Sequence, residues 1–196
     1  MRRVVHPIEA ESYRILRGLV NLSRFGPLGQ AVAERVIHAS ADLEYAESLV
    51  LDETALVGGL EALRRGAPVV TDVGMVATGI TARKTRCYVS DARARELSED
   101  LNITRSAAGF RTAAQEVGTG AVWVVGNAPT ALFELLDLPD VEPALVVGLP
   151  VGFVGAAESK EKLSQSELPT ITNRGPKGGS AVAAAALNAL LYYEED

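Results

Sequence analysis

The sequence predicts a three-layer α/β/α fold, with helices on both faces of a mainly parallel sheet. Short runs rich in Val and Ile alternate along the chain with longer segments of helical period, the pattern of successive βαβ units. Most of those runs are apolar without alternation, as strands covered on both faces are. No repeat, low-complexity tract or long linker interrupts them, so residues 1–196 read as a single domain.

The first helix is expected from Ile8 to Leu22. There Ile8, Ser12, Ile15, Leu16, Leu19 and Val20 form one stripe and leave Glu9, Glu11 and Arg17 outside it. Arg35-Val36-Ile37 is the first candidate strand, and helices follow over Leu43 to Leu49 and Glu53 to Arg65. Pro68 to Thr71 and Cys87 to Val89 read as the next strands, then a helix from Thr104 to Val117 and a strand from Ala121 to Gly126. In the helix from Pro129 to Leu136, Asn127 is a plausible N-cap and Pro129 suits the first turn. Strands at Ala144 to Val147 and Thr170-Ile171, with helices at Ala156 to Leu163 and Gly179 to Tyr193, complete the chain.

Composition removes several function classes. With 19 Lys and Arg against 25 Asp and Glu, the net charge is −6, the wrong sign for a general nucleic-acid binder. One cysteine, Cys87, allows no intramolecular disulfide and points to a reducing, cytoplasmic setting; two histidines offer no Cys/His cluster for a structural metal. The start, Met1-Arg2-Arg3-Val4-Val5, lacks the apolar run of a signal peptide, and Ser180 to Tyr193 is too short to span a bilayer.

In an open α/β sheet, ligands bind beyond the carboxyl ends of the strands. His38 falls at the predicted exit of the first strand, and imidazole, which titrates near neutrality, suits acid or base work there. The plainer reading is a strand-end histidine bonded to a carbonyl. NRGPKGGSA, from Asn173 to Ala181, could admit an anion to the start of a helix, with Lys177 adding charge, or could be a simple turn. No GxxxxGK[ST] occurs, and no GxGxxG follows a strand, so nucleotide binding is unsupported. Between Arg83 and Arg111 seven basic residues face four acidic ones, a local +3 that leaves −9 for the rest. That basic island is either a solvated face or a seat for a small polyanion. GxSxG is absent, and Cys87 lies in an apolar strand, where thiols are usually inert.

Several segments together resemble one family, the precorrin-8X methylmutases of cobalamin biosynthesis. They are PIEAESYRILR (Pro7 to Arg17), RVIHASAD (Arg35 to Asp42), PVVTDVGMVATGI (Pro68 to Ile80), TRSAAGFR (Thr104 to Arg111), VVGNAPTALFEL (Val124 to Leu135), GLPVGFVGAAESK (Gly148 to Lys160) and TNRGPKGGSAVAAAALNAL (Thr172 to Leu190). They cover most of the chain in order.

The resemblance implies a homodimer with a flavodoxin-like, mainly parallel five-stranded sheet and its site at the subunit interface. The implied reaction moves a methyl group from C-11 to C-12 of precorrin-8X or cobalt-precorrin-8, a formal [1,5]-sigmatropic shift that needs no cofactor. It gives hydrogenobyrinic acid or cobyrinic acid. His38 matches the family histidine and is expected as general acid, protonating a ring nitrogen to change electron demand. Ser12, Arg17, Thr81, Arg83, Lys84, Arg105, Arg111, Asn173 and Lys177 are expected to hold the substrate's carboxylates. Val73, Met75, Leu149 and Val151 are either apolar walls of the site or core packing. The rival readings are a tetrapyrrole carrier of the same fold without isomerase activity, and a nucleotide-using α/β enzyme.

Overall fold

A computed structural model describes residues 6–194, so the reading of Met1 to Val5 lies outside the described residues. The elements run α1 (Pro7–Leu19), α2 (Pro27–Ser40), α3 (Tyr45–Ser48), β1 (Leu49–Leu51), α4 (Glu53–Arg64), β2 (Val69–Thr71), α5 (Gly74–Gly79) and β3 (Arg86–Cys87). Then come α6 (Ala92–Asp100), α7 (Arg105–Val117), β4 (Val122–Val125), α8 (Pro129–Asp137), β5 (Leu145–Gly148), α9 (Ala156–Ser164), β6 (Thr170–Asn173) and α10 (Ser180–Leu191).

The sheet has the order β1-β6-β5-β4-β2-β3. Its five parallel strands, counted from β2, follow the flavodoxin order 2-1-3-4-5, in agreement with the expected architecture. β1 was not among the expected strands and makes the sheet six-stranded where the resemblance implied five: it adds antiparallel to β6, with Leu49 opposite Asn173 and Leu51 opposite Ile171. Along the central strands every residue is buried, and side chains alternate between the two faces of the sheet. Val122, Val124, Leu145 and Val147 pack under α2, α4, α5 and α10, while Trp123, Val125 and Val146 face α7, α8 and α9. Both faces are thus covered, which is why these strands read as unbroken apolar runs. Phe110 meets the Trp123 ring edge-on at 4.9 Å and 65°.

One expected strand is a helix. Arg35-Val36-Ile37 lies inside α2, where Leu28, Val32, Ala33, Val36 and Ile37 are buried at helical spacing. The β-branched pair at its end is a weak local preference that this packing overrides. Gly26 gives α2 no side-chain cap, and the need is met from α4: Glu53 accepts from the N–H groups of Leu28 (2.8 Å) and Gly29 (3.0 Å). A carboxylate at a helix N-terminus satisfies orphan donors and complements the dipole. Glu53→Ala is expected to lower stability by about 1–2 kcal/mol, read from urea denaturation at neutral pH; an unchanged midpoint would contradict the capping role.

The switch point of the sheet lies between β2 and β4, whose neighbours diverge. Its crevice is filled from within. Asp72, at the end of β2, is buried and accepts from the N–H groups of Gly126 (3.2 Å), Asn127 (2.8 Å) and Ala128 (2.8 Å). Burial pushes its carboxyl pKa up, against the lowering effect of these bonds. A Cβ at Gly126 would come 2.8 Å from both Ser180 Cα and Val76 Cγ2, so α10 and α5 close over the same point.

Candidate active site

With the switch point closed, the cleft that holds His38 opens beside it, between α1, α2, α5 and α10. It has a volume of about 580 Å³. Its floor is made of small groups, Gly79, Ala181, Ala184 and Ala185, and Asn188 and Arg35 border it. Asn188 Nδ2 donates to Gly79 O (2.8 Å) and its Oδ1 accepts from Thr81 N–H (3.4 Å), which ties the end of α5 to α10. A floor without protruding side chains suits a flat ligand.

His38 stands on the last turn of α2, not at a strand end, and is exposed to the cleft. Two groups from α1 orient it. Ser12 Oγ shares a 2.8 Å hydrogen bond with Nδ1, and the Tyr13 ring stacks on the imidazole at 4.9 Å and 19°. The second histidine, His6, lines the same cleft while its Nδ1 caps α1 by accepting from Ile8 N–H (3.2 Å). An adjoining cleft of about 530 Å³ shares Glu9 and Arg35 and is bordered by Tyr13, Arg17, Glu34 and Tyr192.

The other expected substrate contacts divide. Thr81 is exposed beyond α5, its hydroxyl 2.9 Å from the Tyr192 hydroxyl, close to the floor. Arg17 reaches the adjoining cleft but is held by Glu34 through bonds of 2.6 and 2.8 Å, which keeps its guanidinium charged. Arg83 turns away, donating to Ala67 O (2.9 Å) and Leu63 O (2.7 Å) near the end of α4. Lys84 is exposed on the segment before β3. Arg105 opens α7, exposed, and Arg111 on the same helix pairs with Glu134 of α8. Both belong to the face of the sheet opposite His38. Of the four apolar candidates, Leu149 is core and Val73 packs against the core, whereas Met75 and Val151 are exposed.

Asn173 and the main-chain carbonyl of Lys177 face inward, and their shared partner was not singled out from sequence. Lys160 on α9 is only 1% exposed. Its ammonium donates to Asn173 Oδ1 (3.0 Å) and to the carbonyl of Lys177, and Asn173 Nδ2 donates to Arg174 O (3.2 Å) and Lys177 O (3.0 Å). The Lys177 side chain runs the other way, to Asp42 (2.6 Å) and Glu44 (2.7 Å), which raises its pKa and lowers that of Asp42. Among the described residues no carboxylate pairs with Lys160, and burial pulls its pKa from the usual 10.5 to about 8. Between those two values the unfolded chain holds a proton that the folded chain has lost, so this group makes stability rise with pH across that window. Lys160→Met is therefore expected to lack part of the rise that wild type shows above pH 8, in urea midpoints measured side by side. Parallel curves would contradict it.

A sheet in the flavodoxin order, with an imidazole held by Ser12 and Tyr13 at the rim of a cleft floored by small residues, defines an α/β protein of the flavodoxin-like class. The model of the precorrin-8X methylmutase family matches residues 7–193. The cobalt-precorrin-8 methylmutase of Methanothermobacter thermautotrophicus is 42% identical, over 97% of this chain and 94% of that one. The precorrin-8X methylmutase of Pseudomonas aeruginosa is 40% identical, over 93% of each. The crystal structure of precorrin-8x methyl mutase from Thermus thermophilus superposes with a TM-score of 0.84 at 33% identity, covering 95% of this chain and 96% of that one. This chain belongs to the precorrin-8X methylmutase family, a family of isomerases in cobalamin biosynthesis.

Proposed function

We propose that this chain moves the C-11 methyl group of precorrin-8X, or of its cobalt-containing counterpart, to C-12, with His38 as the acid. The observation that carries the reading is the fixed imidazole: Ser12 engages Nδ1 at 2.8 Å and Tyr13 stacks on the ring. In the imidazolium both nitrogens donate. With Nδ1–H spent on Ser12, Nε2–H is the donor left for a ring nitrogen of a macrocycle lying on Gly79, Ala181, Ala184 and Ala185. Protonation there withdraws electron density from the conjugated system and lowers the barrier to methyl migration. The shift itself needs no nucleophile from the protein. No resident cofactor and a cytoplasmic location are parts of this reading.

The peripheral carboxylates fall to hydroxyls and cations around the floor, Thr81 and Arg17 first. Arg105 and Arg111 lie across the sheet from His38, so in this reading they serve the cleft of a second copy, and the enzyme is a homodimer with its site at the interface. Exposed apolar groups support that: Phe153 and Val154 next to β5, Met75 on α5, and Ile8, Ile15 and Leu19 along α1 stand open in the single chain. Relatives named cobalt-precorrin-8 methylmutase and precorrin-8X methylmutase alike favour the isomerase over the carrier. The test is a visible spectrum recorded after mixing protein with precorrin-8X. A new chromophore forming catalytically supports the isomerase, whereas a spectrum that only shifts in proportion to protein contradicts it.

A further inference from the structure

The two walls of the His38 cleft meet at one loop, residues 174–179. One wall is α10, which begins at Ser180 directly after that loop and supplies Ala181, Ala184 and Ala185. The other is α2, whose chain continues through Ala41 to Asp42, and Asp42 is held by the Lys177 side chain at 2.6 Å. The loop is thus tied to both walls, to α10 through the chain itself and to the end of α2 through the Lys177 side chain.

The loop is fixed on several sides, and at its start Arg174 N–H donates to Ser48 O (2.9 Å). Against the end of β5, Gly179 N–H donates to Leu149 O (2.9 Å) and Gly152 N–H to Pro176 O (3.2 Å). Gly178 lies so close that a Cβ there would collide with the carbonyl oxygens of Leu149 and Pro150. From below, the only charged group that grips the loop backbone among the described residues is Lys160, through the carbonyl of Lys177 and through Asn173 Oδ1. Asn173 in turn donates to Arg174 O and Lys177 O. A buried ammonium is held here by neutral oxygens alone, an arrangement that a simple packing role does not call for, since an apolar side chain would fill the space with less desolvation.

We propose that Lys160 is a positioning residue for the methylmutase reaction: by holding the 174–179 loop it sets the spacing between α10 and α2, and so the width of the cleft that receives the tetrapyrrole. It touches neither the ring nor His38, and it acts through Asn173, Lys177 and Asp42. The proposal rests on the reading that this cleft binds the substrate.

The test compares wild type with Lys160→Met, which keeps the length and loses both hydrogen bonds, using precorrin-8X as substrate. The expected result is a KM raised about tenfold, the scale of one lost charge-assisted bond, with kcat within about twofold because His38 and Ser12 are intact. Unchanged KM overturns the proposal, as does a fall in kcat alone. Lys177→Met cuts the same connection at a half-exposed position and decides the matter if Lys160→Met does not fold: a several-fold rise in KM supports the proposal and an unchanged KM overturns it. Amide exchange without substrate gives a reading independent of catalysis. In the Lys160 variant, protection should fall together in residues 174–179 and 41–45; loss confined to 174–179 overturns the coupling. Absence of turnover in wild type would instead count against the assigned reaction and leave the exchange result to judge the loop.

Discussion

His38→Ala should reduce kcat for precorrin-8X by about 10²- to 10⁴-fold, the usual contribution of a positioned general acid. The protein should remain folded, because the side chain is exposed on the last turn of α2 and, among the described residues, its ring is engaged by Ser12 and Tyr13 alone. Surface substitutions of this kind change stability by about 0.5 kcal/mol or less. Absorbance after mixing with substrate, together with a thermal melt of the variant, separates chemistry from folding. Turnover at the wild-type rate would remove His38 from the mechanism. Ser12→Ala should show a smaller loss in kcat, since it frees the ring without removing it.

Asp72→Ala should have the largest effect on stability. The carboxylate is buried and accepts three backbone N–H bonds from residues 126–128, and its removal leaves those donors facing a cavity. At about 1–3 kcal/mol for each unsatisfied group, partly relieved by entering water, a loss of about 3 kcal/mol or more is expected. For a chain of this size that lowers Tm by roughly 6–12 °C. Asp72→Asn, which keeps the size and one acceptor, should fall between the two. A melting temperature within about 2 °C of wild type for Asp72→Ala would show that the N–H groups find other partners.

The parallel strands were legible because each is covered on both faces and therefore unbroken in its apolar character, as at Val122–Val125 and Leu145–Gly148. Helices with clear stripes were legible too. What misled was α2, where a Val-Ile pair imitates a strand inside a helix whose cap comes from Glu53, more than twenty residues away. α6 was missed because it buries little beyond Ala94, so its period carries almost no apolar signal. β1 exists only through its pairing with β6, and no local pattern encodes a partner so distant in sequence.

The site was legible in part. His38, expected at a strand exit, lines a cleft from the end of a helix instead, and Ser12 meets it because α1 packs along α2. The expectation that ligands sit at the strand ends pointed to the switch point, and Asp72 already occupies it. Arg83, Asn173 and Lys177, expected to hold the substrate, have hydrogen bonds spent within the chain. Which cations are already paired depends on tertiary neighbours such as Glu34 and Glu134, which spacing does not reveal.

The alanines of α10 have a thermodynamic consequence for binding. Side chains such as Lys or Met lose about 1.5–2 kcal/mol of rotamer freedom when a ligand immobilises them, whereas alanine has none to lose. In the proposed mode of binding, Ala181, Ala184 and Ala185, with Gly79 beside them, present the ligand with a surface that has no side-chain rotamers to fix. Helix α10 is buried along nearly its whole length, so its backbone has little freedom left to surrender. Association on such a surface is entropically cheap on the protein side, and the opposing cost falls mainly on the flexible carboxylate arms of the ligand.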